Sequence, residues 1–561
     1  MRTPQRVAVL TLLICVLPAL SFASAYNARP KLVVIIVIDQ FRGDYLERYR
    51  DQFGDGGFRL LLDHGAYFPD CNYDYANTRT APGHATLLTG AYSDGHGIIA
   101  NELWSPQKQK MLGVVHDDNT HLVGMAGNTA GVSPRNLMAD TLDDQLKLAT
   151  AGQSRVFSIS LKDYAAVVPA GYAADGAYWV DHNSGDWITS SYYRSDLPQW
   201  VQDFNAGKRW QKYLNQQWKD NHGNILRTIA PPAGVPPNFY QVIGPTPFAD
   251  DYELGFAREL LLYEKLGTGP ATDLLLISLS ANDILGHKVG PDSPEMHAMA
   301  LALDRQLADF FNFLGHQIGL ANVWIALSAD HGVAPLPAVA SKLHIPAAGL
   351  NSSRLRAQLN QLLVNKLSPG RAAEYVGDFD YPLAWLNESA FSALRMKEAD
   401  AEHAVGEAIK QIGLRAYFTK SQLAGDAVPE TALGLQYAHS YSPEGGWYVL
   451  GVPAPFFVGI VSGTDHGTPY NYDTHVPLAL YGLPFQAGTY RSHSEPIDLA
   501  ATLASLLGIN APTHAVGRVL TEALAPERHA ENSSNPRPSS TQPYVPAQVK
   551  PAALGAAGGS R

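Results

Sequence analysis

Cysteine is almost missing: Cys15 and Cys71 are the only two in 561 residues. Cys15 lies in an N-terminal stretch that reads as a secretory leader, so the mature chain keeps one thiol and no intrachain disulfide. An exported fold of this kind must rest on packing, with metal as a further available source of stability. Basic charge is also scarce. Of 41 Lys and Arg, Arg2 and Arg6 leave with the leader; the remaining 39 face 52 carboxylates, a net charge of −13. That balance argues against a nucleic-acid groove or an affinity for anionic membranes. Beyond Val7–Leu20 there is no second long apolar run, so the mature chain is expected to be soluble, and no internal repeat is visible.

What is present is ordinary globular material, 46% hydrophobic and 17% charged, in a chain long enough to bury a large core. Arg2 and Arg6 ahead of an apolar stretch, then Ala23-Ser24-Ala25, predict a signal peptide over residues 1–25 and a periplasmic or secreted product. Residues 26–525 read as the catalytic region. Two stretches break its rhythm, about 178–250 (rich in Trp, Tyr, Asn and Pro) and about 335–450, and are expected to be insertions. From 526 to 561 the composition turns to Pro, Ser, Asn, Ala and Gly, which predicts a disordered tail.

Chemistry concentrates at the ends of apolar runs. Asp39 ends the run Leu32 to Ile38; Asp283 and His287 follow Leu274-Leu275-Leu276-Ile277; Asp330 and His331 follow Val323 to Ser328. His466 lies in Gly463-Thr464-Asp465-His466-Gly467-Thr468. A continuous apolar run suits a central parallel strand covered on both faces. In open α/β sheets ligands bind at the C-terminal edge of such strands. Between these runs stands Asn77-Thr78-Arg79-Thr80-Ala81-Pro82-Gly83-His84-Ala85-Thr86. Pro is at home in the first turn of a helix, so Thr80 is expected at a helix N-terminus, where free N–H groups favour negative charge. A plain N-cap role for Thr80 is the alternative. Arg155 to Ser160 reads as a further strand, opening onto Leu161-Lys162-Asp163-Tyr164. Phe456–Val461 and Val476–Tyr481 read as later strands of the main fold.

Taken together, these stretches resemble the alkaline phosphatase superfamily over roughly residues 31–510. The likeness is greatest to its monomeric bacterial branch with a threonine nucleophile, which belongs with the type I phosphodiesterases and nucleotide pyrophosphatases. The resemblance implies an α/β fold with a central, mostly parallel sheet flanked by helices and smaller inserted cap regions. It implies two zinc ions, one held by Asp283, His287 and His466, the other by Asp39, Asp330 and His331 with Thr80. It implies further that Thr80 is the nucleophile of a phospho-threonine pathway. Asn101 would then donate to a phosphoryl oxygen and Lys162 would bind phosphate. The expected partners are small-molecule phosphate esters and the expected state is a monomer. His84, His96, His439 and His475 match no ligand position and are read as structural.

One departure stands out. The related phosphatases carry Lys-Asp-Arg where this chain has Lys162-Asp163-Tyr164. Tyr offers one neutral hydrogen bond in place of a charged fork. A phosphomonoesterase is therefore expected, with a phosphodiesterase or nucleotide pyrophosphatase of the same superfamily as the alternative. A sulfatase does not fit, because Thr80-Ala81-Pro82-Gly83 lacks a Cys or Ser followed by Pro-x-Arg. A catalytically inert phosphate-binding protein is the reading from another class, and the complete ligand set argues against it.

Overall fold

The computed structural model describes residues 29–525 apart from Asn128 and Asp426. The leader (1–25) and the tail (526–561) lie outside the described residues. An eleven-stranded sheet organises the rest. Its strands, in chain order, are β1 (Leu32–Ile38), β2 (Ala66–Asn72), β3 (His116–Val123), β4 (Ala130–Val132), β5 (Val156–Ser160), β6 (Gly176–Val180), β7 (Trp187–Ser190), β8 (Asp273–Leu279) and β9 (Val323–Ser328). After a second, smaller sheet, β10 (His475–Tyr481) and β11 (Gly488–Thr489) complete it. The spatial order is β11-β2-β10-β9-β1-β8-β5-β6-β7-β3-β4.

The five central strands, β9-β1-β8-β5-β6, are mutually parallel; antiparallel pairs dominate both flanks. All seven side chains of β1 are completely buried. The continuous apolar run thus marks a strand covered on both faces, each large side chain contributing about 1.5–3 kcal/mol. Register then sets the position of the site. Ile38 pairs with Leu279, Val37 with Ser328, and Ser278 with Ser160. Four strands therefore end level, and whatever follows them collects at one edge.

Between β9 and β10 the chain builds a four-stranded antiparallel sheet from Val376–Asp380, Leu383–Leu386, Tyr448–Val452 and Ala416–Thr419, in that spatial order. Helices Ser352–Leu367 and Glu398–Gln411 close its apolar face around Leu359, Val376, Leu386, Val405 and Ile409. Both sheets belong to one unit ending at Ala525.

Two expectations need correction. The stretch read as an insertion from 178 begins inside the main sheet, since β6 and β7 contribute Tyr178, Trp179 and Trp187 to it. Trp187 stacks on Phe256 with ring centroids 3.9 Å apart. Aromatic residues pack well on a pleated surface, and in β6 they sit in the short apolar run Ala177-Tyr178-Trp179-Val180. Phe456–Val461 is not a strand of the main sheet either. Only Phe457–Val458 is extended, and it pairs with Ala348–Gly349 in a separate two-stranded ribbon. Among the described residues no helix is long and apolar enough to cross a membrane. Cys71 is buried and free.

Candidate metal centre and nucleophile

Helix α1 (Thr80–Thr89) carries the nucleophile candidate at its first residue. Arg79, in extended conformation, is the N-cap, so the plain capping role for Thr80 does not hold. The Thr80 hydroxyl instead lies 3.4 Å from His331 Nε2. Every residue of α1 is buried, and Gly90, left-handed at φ 66°, ends the helix. Asn101 Oδ1 accepts the Ala81 N–H at 2.8 Å, which fixes the amide's orientation and leaves its NH2 group as the remaining donor.

Gly83, one turn on, packs against the loop after β9 so closely that a Cβ there would collide with the Asp330 carbonyl oxygen. A backbone atom cannot rotate aside. Gly83→Ala is expected to cost about 1–3 kcal/mol of stability by urea unfolding and to displace Asp330. Unchanged unfolding would mean that this contact is not tight.

The strand ends deliver the charged groups. Asp39 follows β1; Asp330 and His331 follow β9; Lys162 follows β5 and caps helix α2 (Asp163–Ala170). Asp283 and His287 lie one turn apart on helix α3 (Ala281–Val289), which follows β8. The loop with His466 is strapped on through Thr78, whose hydroxyl accepts the N–H groups of Gly467 and Thr468 at 3.2 and 2.9 Å.

Two adjoining groups of candidate ligands result. In one, His331 Nε2 lies 3.6 Å from both Asp39 Oδ1 and Asp330 Oδ2. In the other, Asp283 Oδ1 lies 3.0 Å from His287 Nε2 and 3.9 Å from His466 Nε2. His331 and His466 stack with centroids 3.6 Å apart, so the groups share a wall. Asp465 also reaches this place, 3.8 Å from His287 Nδ1.

Three features fit these residues to cations. The Nδ1 atoms of His287, His331 and His466 donate to the carbonyls of Thr464, Gly332 and Thr78 at 2.9, 2.9 and 2.7 Å. That fixes the tautomer and turns each Nε2 inward, as metal-binding histidines require. Asp39 Oδ1 and Asp330 Oδ2 are buried without a hydrogen-bond partner. Burial pushes the Asp39 carboxyl up to about 6 and that of Asp330 further above the usual range, each carboxylate also repelling its neighbours. Two buried carboxylate oxygens without a partner, on two adjoining carboxylates that share one nearby lysine through Asp39, call for more positive charge.

Burial opposes ionisation at Asp283 as well, but His287 and Lys162 hold it well below the ordinary carboxylate value. His331 is kept neutral by burial, down to about 3, and burial likewise lowers His466. His287 is the exception: burial disfavours its charge, yet Asp283 draws it up to about 10. A divalent cation would take the place of that proton.

Lys162 Nζ lies 2.6 Å from both Asp39 Oδ2 and Asp283 Oδ2, bridging the two groups. Tyr164 stands beside it, with its ring centroid 6.0 Å from Nζ. Arg79 is engaged by the smaller sheet. Its guanidinium is held by the Asp380 carboxylate at 2.8 Å and by the Asp380 carbonyl at 3.1 Å, tying the smaller sheet to the nucleophile loop. His84 lies beneath the site, its Nδ1 donating to the Thr80 carbonyl at 2.8 Å and its Nε2 accepting from Ser278 Oγ at 2.7 Å. The motifs alone did not point to Gln40, Asp380 or Asp465. Asp465 precedes His466 and Gln40 follows Asp39, so adjacency was the available signal.

Residues 33–444 match the type I phosphodiesterase/nucleotide pyrophosphatase family. The chain belongs to the alkaline phosphatase superfamily. The alkaline phosphatase PhoV of Synechococcus elongatus is 32% identical over 525 residues, covering 89% of this chain and 93% of the relative. A Myroides odoratus protein named a calcium-transporting ATPase is also 32% identical, over 92% of this chain and 98% of its own. The crystal structure of alkaline phosphatase PafA superposes with a TM-score of 0.80 at 30% identity, covering 89% of this chain and 99% of that one. As a member of this superfamily the chain is a hydrolase of phosphoric esters, and its sheet and helices follow the alkaline phosphatase arrangement.

Proposed function

We propose that the protein is an exported phosphomonoesterase that works through a phospho-threonine intermediate at a two-zinc site. The observation that carries this reading is the Thr80 hydroxyl at the start of a buried helix, 3.4 Å from His331 Nε2 and beside two orphaned carboxylate oxygens. Asp283, His287 and His466 would hold one zinc; Asp39, Asp330, His331 and Thr80 would hold the other. Zinc so held supplies positive charge to the entering and leaving oxygens of an in-line displacement.

The chain's own groups do the rest. Thr80 Oγ attacks phosphorus as the bond to the alcohol oxygen breaks, and the alcohol leaves with a proton. Water then attacks the same phosphorus, the bond to Thr80 Oγ breaks, and inorganic phosphate departs. Asn101 donates its amide N–H to a non-bridging oxygen, its carbonyl being occupied by Ala81. Lys162 adds a point charge once its carboxylate partners are neutralised. The substrates are small phosphate esters, met outside the cytoplasm by a monomeric enzyme.

A phosphodiesterase is the second reading, which Tyr164 leaves open without deciding for either. A monoester carries nearly two negative charges and a diester one, so monoester preference needs charge on the non-bridging oxygens. Burial raises the Tyr164 hydroxyl above its usual range, so it can donate only as a neutral group. The test is kcat/KM for a monoester and a diester with the same leaving group. Monoester preference is expected, and preference for the diester would overturn the first reading. Tyr164→Arg should raise monoester kcat/KM by about 1.5–3 kcal/mol of transition-state binding and widen the ratio. Lys162→Ala should narrow it. Equal losses for both substrates in Lys162→Ala, with no change of ratio in Tyr164→Arg, would remove this account of specificity.

A further inference from the structure

Gln40 is the most constrained residue at the strand edge, and neither ligation nor phosphate binding explains it. It is completely buried and left-handed, with φ 64°. A side chain is costly in that conformation, whereas glycine adopts it freely. A glutamine kept there must have a use for its side chain.

Its bonds supply that use. The Gln40 backbone N–H donates to Asp330 Oδ1 at 3.1 Å, and the His331 N–H donates to the same oxygen at 3.0 Å. Asp330 Oδ2 is thereby left free, facing His331 and Asp39. Nε2 of the Gln40 amide donates to Asp283 Oδ1 at 2.6 Å, the oxygen that faces His287 and His466. The amide can have only this orientation, since the flipped one would set its oxygen against a carboxylate.

The opposite wall is shaped to match. Gly286 lies on α3 between Asp283 and His287, and a Cβ there would collide with Gln40 Oε1. The carboxamide therefore sits in a notch that a glycine leaves open.

We propose that Gln40 is a positioning residue that couples the two groups of ligands. Its main chain orients Asp330 and its side chain orients Asp283, so one residue sets both carboxylates relative to each other. The inference rests on the two-zinc reading. It separates the roles of main chain and side chain, which gives it a sharp test.

Gln40→Gly keeps the main-chain bond to Asp330, relieves the left-handed backbone and deletes the amide. Zinc affinity of the stripped full-length protein is measured by competition with a chromogenic chelator, alongside thermal unfolding of the metal-free form. Wild type should take two equivalents. In Gln40→Gly the equivalent that His287→Ala also impairs should weaken about 10–100-fold, with the other unchanged and metal-free stability no lower. Gly286→Ala should weaken the same equivalent in the wild-type background. In the Gln40→Gly background, where nothing is left to collide with, it should add little.

If Gln40→Gly binds both equivalents as wild type does, or loses both alike, the coupling role is wrong. Additive effects of Gly286→Ala and Gln40→Gly would also overturn it. A wild-type protein that takes fewer than two equivalents removes the two-zinc reading itself, and this inference with it.

Discussion

Thr80→Ala should lower kcat on a phosphate monoester by three orders of magnitude or more, about 4 kcal/mol of transition-state stabilisation. Thr80→Ser should keep a substantial part of it, because the hydroxyl and its attachment at the helix start survive. The reason is geometric. Thr80 is the first residue of α1 and is buried, with its hydroxyl beside His331 Nε2. Steady-state kinetics under saturating substrate checks it. Retention of more than about a tenth of wild-type kcat in Thr80→Ala would require a different nucleophile.

Removing metal should have the second largest effect. The candidate ligands arrive from β1, α3, the end of β9 and the loop after Gly463, segments far apart in sequence. Only the folded chain assembles them, so bound metal stabilises the native state, by about 4 kcal/mol per site at a thousandfold excess over Kd. Without metal, Asp39 and Asp330 remain as buried carboxylates of raised pKa, and Lys162 pairs with Asp39 and Asp283 but not with Asp330. Exhaustive chelation should abolish turnover and lower the thermal midpoint, and zinc should restore both. Calorimetry with parallel elemental analysis checks this. Full activity in protein shown to be metal-free would end the two-metal reading.

Much of this arrangement can be read from the chain. Leu32–Ile38, Leu274–Ile277 and Val323–Ser328 are largely apolar runs that open onto a carboxylate within six residues (Asp39, Asp283 and Asp330), a pattern that a buried parallel strand with a functional C-terminal end produces directly. The Pro82-Gly83 pair marks the helix start at Thr80 for equally local reasons. The remainder depends on tertiary facts. Gln40 matters because of a left-handed backbone angle and a glycine on a distant helix, and neither leaves a periodic trace. Arg79 could have been read as a phosphate cation, but the turn of the smaller sheet supplies Asp380 and two carbonyls that occupy it. Strand β6 is a short apolar run, Ala177-Tyr178-Trp179-Val180, but a boundary drawn at 178 cuts through it, and the polar turn at 181–186 separates it from β7, whose Trp187-Ile188 is too short to show a period.

The central claim is that phosphoryl transfer passes through Thr80. It is tested most directly by rapid acid quench of the zinc-loaded enzyme during turnover of a monoester, followed by mass spectrometry of the peptide spanning residues 77–89. The account predicts a phosphoryl group on Thr80 that appears within the first turnover and is absent from Thr80→Ala. Turnover with an unmodified Thr80, or a phosphoryl group on any other residue, would contradict it.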